Sequence, residues 1–369
     1  MTVLMPGDFA PMFTVAAGLD GDFAFDTAGG WRAILCFLGD LSAVDSRTVL
    51  DGLGARRQWL TARRTRAFAV SLSAADRNDA LVRRCDEAGI LAFWDFDGVV
   101  ARLYGMTGRR GSIVLNENLR FLAALPLDGP ASHVDALVRL IGELPEPGTP
   151  RTISRQAPVL IVPDVLDPAL CRRLIETFEA GTSRESGFMK EAGGRTIGVV
   201  DHRRKRRRDV YIDDEGVRAD LLQAIGRRIR PEIRKAFATD AMWVERFLVA
   251  RYDAEDSGGF AAHRDNTTSG TAHRKFAVTI NLNTGDYEGG DLAFPEYGRD
   301  AYRAPTGGAV VFSCSLMHEA LPVTRGRRYA FLPFLYDAAG RERRLASAQS
   351  ISWQGTDQPA EPSTVKSGS

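Results

Sequence analysis

Cysteine is scarce in this chain of 369 residues: Cys36, Cys85, Cys171 and Cys314 stand apart, with no Cys-x-x-Cys pair among them. Scattered single thiols exclude a disulfide framework and a cysteine-rich zinc site, and they fit a reducing compartment. Net charge is lacking too, since 48 basic and 47 acidic side chains leave only +1. A chain so balanced exerts no long-range pull on nucleic acid or an anionic membrane. No apolar run reaches the ~18 residues of a membrane span. Met1 to Pro11 lacks the charged and apolar stretches of a signal peptide. These absences predict a cytoplasmic protein with neither a membrane nor a nucleic acid as partner. Histidine is rare as well, with five in the chain, so the positions of those five carry information.

Two of the five fall in a pattern with chemical meaning. His263 and Asp265 form a His-x-Asp pair, His318 follows well downstream, and Arg328 comes ten residues after it. Two neutral imidazoles and one carboxylate on one face of a metal leave the opposite positions open, the ligand set of non-heme Fe(II) that binds a co-substrate and O₂. A guanidinium fork such as that of Arg328 pairs with a carboxylate through two bonds, which suits the far carboxylate of 2-oxoglutarate.

A bare His-x-Asp is weak by itself, and its surroundings strengthen it. The runs Phe247 to Tyr252, Phe276 to Asn283, Ala309 to Phe312 and Arg328 to Leu332 read as short strands. Between them lie turns at Gly289-Gly290, Thr306-Gly307-Gly308 and Arg325-Gly326. Short strands punctuated by Gly and Pro turns predict a jelly roll, with the pair and the distal histidine on different strands near its mouth.

The stretch from Tyr252 to Asp337 resembles the Fe(II)/2-oxoglutarate oxygenases of the prolyl-4-hydroxylase type. It is most similar to the bacterial PKHD-type hydroxylases, through the blocks Asp286 to Leu292 and Pro322 to Arg328. The resemblance starts near Ala157. It implies iron ligation by His263, Asp265 and His318, a C5-carboxylate contact from Arg328, and a further co-substrate contact from Tyr252. Asn281 stands where the group often has tyrosine, and Arg328 where it often has lysine; Asn281 is carried as a co-substrate contact. The implied reaction is hydroxylation of an unactivated C–H of an amino acid, a peptidyl proline or a natural-product intermediate. Succinate and CO₂ would be co-products, and ascorbate a reductant. Because Asp265 is present, no ligand position is vacant for chloride. Desaturation and cyclisation stay open, and a non-catalytic interaction protein is the competing class.

The remaining polar residues divide between plain and functional readings. His133, in a helical stretch, reads as surface, and His202 as solvated. His273 and Arg274, on the loop after the His-x-Asp pair, are candidates for the substrate pocket. The run His202 to Arg208 is basic. It fits a solvated loop, a border of the active site or dimer contact, or a polyanion site, in falling order.

Residues 1–145 read as a separate α/β unit. Trp31 to Leu38, Thr65 to Leu72, Ile90 to Trp94, Gly111 to Leu115 and Phe121 to Leu125 are strand-like. Ser46 to Ala62, Asp76 to Ala88 and Ala131 to Gly142 have helical spacing. The opening Pro6 to Phe13 and the block Ser112 to Asn116 resemble peroxiredoxins of the thioredoxin fold. That resemblance puts Ser46 at the place of the peroxidatic cysteine, while Cys36 lies inside a strand as inert packing. The unit therefore reads as a degenerate redoxin serving assembly, homodimerisation or substrate presentation.

A linker at 146–157 leads to the oxygenase unit at 158–338, a mainly-β double-stranded β-helix with bracing helices. Asp167-Pro168 signals a helix start, and Gly226 and Pro231 predict a break in the amphipathic stretch Val217 to Phe237. Residues 339–369 read as a polar tail.

Overall fold

The computed structural model describes residues 4–347 and the backbone of Ile351–Ser352 and Ser363–Thr364. The chain divides into two compact units, Met1–Arg151 and Thr152–Ser369.

The first unit is built on a seven-stranded sheet. Its centre is formed by Arg32–Gly39, Thr65–Ser71 and Ile90–Trp94, paired in parallel, as helical crossovers require. These three strands are almost wholly apolar because helices and loops cover both faces. Gly111–Leu115 and Phe121–Pro126 extend one side antiparallel. The hairpin Thr14–Ala17/Asp22–Ala24, which the sequence reading passed over, closes the other. The expected long helix after the first strand is two, Val44–Gly54 and Arg57–Ala62. The next helix starts at Asp79, where Asn78 accepts a bond from the Leu81 amide.

His133 overturns its surface reading. It is 3% exposed, with Nδ1 on the Pro126 carbonyl at 3.0 Å and Nε2 on Ser112 Oγ at 2.8 Å. Burial holds its pKa below the ordinary histidine value. One face of the helix Pro130–Glu143 meets the core, and His133 lies on that face with Val134, Leu137 and Ile141.

The second unit is mainly β, with two facing sheets. The larger contains Phe276–Asn281, Arg327–Phe331, Leu248–Asp253 and Arg208–Tyr211 as consecutive neighbours, while Ala309–Ser313 pairs with Phe276–Asn281 from the other side. The smaller runs Lys205–Arg206, Gly259–His263, His318–Ala320, Leu292–Ala293 and Ala301–Tyr302. Period-two alternation sorts side chains between two cores. Val249, Val278, Val311 and Phe331 pack outward against helices, whereas Ala250, Tyr252, Val310, Phe312 and Ala330 face the smaller sheet.

The covering helices follow their sequence signals. Pro168–Ala180 is capped by Asp167, whose Oδ1 accepts from the Leu170 amide at 2.8 Å, a contact of about 1 kcal/mol. The stretch after Glu215 runs as an α-helix to Ala224, a π-helical turn over Ile225–Ile229, and a second α-helix Arg230–Phe237. Proline at position 231 lacks an amide hydrogen, and the break falls there. The polar-tail reading is corrected at its start, because Ala338–Ser347 is helical. The rest of that segment lies largely outside the described residues.

Candidate metal centre

The smaller sheet brings the three candidate ligands together. His263 ends one strand, His318 begins its antiparallel neighbour, and the two are paired in register across a bulge. Asp265 lies two residues beyond the first strand, held by its amide on the Cys314 carbonyl at 3.0 Å. One ligand atom from each residue lies within 4.8 Å of the others. His263 Nε2 is 3.5 Å from Asp265 Oδ1, and His318 Nε2 is 3.4 Å from Oδ2.

Second contacts fix how the rings present themselves. Nδ1 of His263 meets the Ala261 carbonyl at 2.8 Å, and Nδ1 of His318 meets the Leu316 carbonyl at 3.0 Å. A carbonyl only accepts, so each Nδ1 carries the proton and the Nε2 lone pairs face Asp265. This is the orientation in which a metal-binding imidazole is held. Burial opposes the charge on Asp265, yet positive charge at His318 and His263, where a metal cation would sit, holds its carboxyl well below the usual range. The donors thus fit a divalent metal: two imidazole nitrogens and an ionised carboxylate.

Arg274 stands behind this group. Its guanidinium binds Glu245 at 2.6 Å and 2.5 Å, lies over the Phe334 ring at 4.1 Å, and reaches the Asp265 carbonyl at 3.4 Å. His273 is turned to the same carboxylate, 3.0 Å from Glu245 Oε2. Of the two pocket candidates, Arg274 lines the cavity and His273 does not. His273 is a buried brace because the chain between Thr271 and Lys275 turns it away from the cavity and onto Glu245. Glu245 escaped the sequence reading, since nothing in Val244-Glu245-Arg246 marks a glutamate that two later residues will share.

Arg328 enters from the larger sheet. It is 2% exposed, its Nη2 donates to Asn281 Oδ1 at 3.1 Å, and its guanidinium lies 5.1 Å from the Tyr252 ring centre. Among the described residues its Nε has no hydrogen-bond partner, nor has the hydroxyl of buried Tyr287 nearby. An unpaired buried guanidinium nitrogen costs free energy unless an anion meets it. Tyr252 lines the cavity with Arg328. Asn281 does not; it orients Arg328 and anchors itself on the Ala304 carbonyl at 3.0 Å. The Gly289-Gly290 turn has its reason here. A Cβ on Gly290 would meet Arg328 Cδ at 2.9 Å, and one on Gly289 the Pro322 oxygen at 2.3 Å, both at positive φ.

His263, Asp265, His318, Arg274, Tyr252 and Arg328 border one cavity of about 840 Å³. Part of its wall is the hairpin Phe188–Ala192/Arg195–Val199, which the sequence reading missed. Its signal was the two-residue turn Gly193-Gly194, with φ +57° and +74°, the type favoured in tight hairpins. The basic run forms another part, and by alternation it splits in two. Lys205 and Arg207 are buried and line the cavity, whereas the alternate Arg204 and Arg206 are exposed. Arg207 is held by Asp209 at 2.7 Å and 2.6 Å. The solvated-loop reading therefore fails for Lys205 and Arg207.

No family model matches the chain. Among solved structures, peroxidoxin BcpB of Mycobacterium tuberculosis is similar at 12% identity and TM-score 0.35, covering 39% of this chain and 99% of that one. Peroxiredoxin Q of Xanthomonas campestris gives 17% and 0.32, over 38% and 96%. A PKHD-type hydroxylase of Maricaulis maris is 31% identical over 157 residues, 40% of this chain and 65% of that protein, so just under two thirds of its length is spanned. A PKHD-type hydroxylase of Paracoccus denitrificans is 29% identical over 187 residues, 47% and 75% of the two chains. One from a Shewanella species is 26% identical over 196 residues, 50% and 81%. The chain is a relative of the PKHD-type hydroxylases.

Proposed function

We propose that the second unit is an Fe(II)- and 2-oxoglutarate-dependent oxygenase that hydroxylates an unactivated C–H bond. Its two facing sheets would form a double-stranded β-helix. The observation that carries the reading is the convergence of two Nε2 atoms and a carboxylate within 4.8 Å, in the cavity that Arg328 also lines. Iron bound there would supply O₂ activation coupled to oxidative decarboxylation of the keto acid.

The chain's own residues prepare that chemistry. With Nδ1 turned to backbone carbonyls, His263 and His318 present Nε2 as the ligand atom of the neutral ring. Asp265 supplies the negative ligand, and Arg274 steadies its backbone. Arg328 takes the distal carboxylate of 2-oxoglutarate, with Asn281 fixing its fork and Tyr252 covering one face. Phe260 stacks on the His263 ring, with centres 3.5 Å apart, and Phe312 lies 4.5 Å from that of His318. These rings keep water from the flanks of the ligands.

In this reading the first unit is a redoxin-type domain without its nucleophile. Ser46 occupies the start of the helix after the first central strand, where it is buried and accepts from Arg110 at 3.0 Å. A hydroxyl there has no thiolate chemistry to offer.

The test is turnover. The purified chain with Fe(II), 2-oxoglutarate and O₂ should form succinate, and a panel of amino acids, prolyl peptides and small natural products should raise the rate for its substrate. No succinate above a metal-free control, with any member, would sink the reading.

A further inference from the structure

The cavity holds more positive charge than the proposed iron site and co-substrate explain. Nine lysine and arginine side chains line it against six aspartates and glutamates. A divalent metal and a dianionic co-substrate cancel each other, so the surplus of three stays. Three of these cations already have an acid. Arg207 is paired with Asp209, Arg274 with Glu245, and Arg264 with Glu296. Arg328 is taken by the co-substrate in the reading above. Of the rest, Arg184, Lys190 and Arg204 are exposed and Arg246 is half-buried on the Leu332 carbonyl, whereas Lys205 stands deep inside.

Lys205 is 5% exposed, and no carboxylate among the described residues comes within salt-bridge distance of it. Its ammonium has three protons to donate, and the one hydrogen bond it makes runs to the Gly187 carbonyl at 2.6 Å. A buried ammonium so poorly paired is costly. Burial, then the neighbouring Arg207 and Arg246, press its pKa well below the usual lysine value, and the more distant Asp209 and Asp265 offset this only in part. An anion in the cavity would relieve that pressure.

Its position points to a substrate group. Lys205 is paired in register with Phe260, on the strand that carries His263. The ammonium lies 4.8 Å from the Phe260 ring centre, and His263 stacks on that same ring. Lys205 is thus one aromatic ring away from the metal ligands. Arg328 belongs to the other sheet, so the two cations approach the cavity from different sides. Phe188, Val199, Met317 and Phe334 add apolar wall.

We infer that Lys205 is the binding residue for an anionic group of the substrate, a carboxylate or a phosphate on an otherwise apolar body. The substrate's reactive carbon is then set by the reach from this anion to the metal. The inference takes the second unit to be an oxygenase, but the anion site itself can be read without turnover.

The experiment uses the full chain with saturating 2-oxoglutarate, so that Arg328 is occupied. Saturation-transfer NMR follows three probes of one shape: benzoate, phenyl phosphate and benzamide. Wild type should bind one or both anions saturably and benzamide at least tenfold more weakly; the anion preferred tells carboxylate from phosphate. Lys205→Met should weaken the anion at least tenfold while the 2-oxoglutarate requirement for protection against thermal unfolding stays within twofold. Anion binding that is absent in wild type, equal to that of benzamide, or unchanged in Lys205→Met would overturn the assignment. Should Lys205→Met fail to fold, Mn(II) added to wild type decides: the bound anion's protons relax faster if the site adjoins the metal ligands, and unchanged relaxation with bound Mn(II) overturns it. A wild type that binds no Mn(II) refutes the iron reading instead, and the anion titration still stands by itself.

Discussion

Two regions of this molecule hold polar side chains inside, and they end in opposite states. In the first unit the groups around Cys36 and Ser112 close on one another. Ser46 accepts from Arg110, Ser112 meets Cys36 at 3.4 Å and His133 at 2.8 Å, and His133 reaches the Pro126 carbonyl. In the second unit the inward-facing groups stop short. Two imidazole nitrogens and a carboxylate face a common point, and a guanidinium nitrogen and a lysine ammonium are left under-paired. Buried polar groups are normally satisfied by the protein. A closed set reads as packing, and an open, convergent set reads as a place for a ligand.

The widest break in that contrast comes from the ligands. His263→Ala, Asp265→Ala and His318→Ala each remove one of three donors, so Fe(II) affinity and succinate formation should fall to background in all three. Near-UV circular dichroism should stay that of wild type, because the sheets do not depend on the metal. Metal content by mass spectrometry checks it, and full loading in any one variant would refute the ligand set.

Next comes the brace behind the ligands. Glu245→Ala strands Arg274 and His273, both buried, and removing one partner of such a group costs about 3–5 kcal/mol. Urea unfolding should show a loss of that size. Arg274 and His273 hold the Glu245 carboxyl well below its usual value, against burial. Its contribution is therefore complete above the unfolded carboxyl pKa of ~4.3 and is lost as the pH falls toward the depressed folded value. Wild type should weaken across that acid range more steeply than the variant; parallel acid curves would refute the coupling.

Much of the site could be seen in the sequence because its elements carry local signals. The spacing of His263, Asp265, His318 and Arg328, and the glycine turn beside Arg328, are written in consecutive or regularly placed residues. The first unit's five later strands and the break near Pro231 likewise follow from short-range apolar patterns and backbone chemistry. What escaped depends on pairing across the chain. Nothing near Lys205 reveals that alternate members of a basic run turn inward, since burial comes from a neighbouring strand 55 residues later, at Phe260. His133 looked exposed because its partners, Ser112 and Pro126, belong to other strands. Glu245 became a hub only when Arg274 and His273 folded onto it.

A smaller effect separates the co-substrate anchor from the metal. Arg328→Ala should raise the 2-oxoglutarate requirement by the worth of a charged hydrogen-bonding contact, ~1.5–3 kcal/mol, or about tenfold to a hundredfold. Lysine at this position should recover part of it, as a point charge without the fork. Asn281→Ala should give a weaker version, since it removes the partner that orients Arg328 and not the charge. Initial rates against 2-oxoglutarate concentration measure all three, and an unchanged requirement in Arg328→Ala would move the anchor elsewhere.

The last effect is expected to be nil, and it tests the closed half of the contrast. Burial pushes the Cys36 thiol up to about 11, its hydrogen bond with Ser112 lowering it only in part. At pH 7 roughly one thiol in ten thousand is ionised, and the thiolate is the nucleophile. Cys36 is wholly buried, so peroxide has no route to the little that forms. The full chain should therefore consume no peroxide with thiols above the buffer rate, and Cys36→Ser should leave that rate where it was. Unfolding should shift by no more than about 1–3 kcal/mol, the cost of burying a hydroxyl that can still bond to Ser112. Thiol-dependent peroxide consumption that vanishes in Cys36→Ser would mean that the strand opens, and that a set of polar groups satisfied in the folded state can still act as a site.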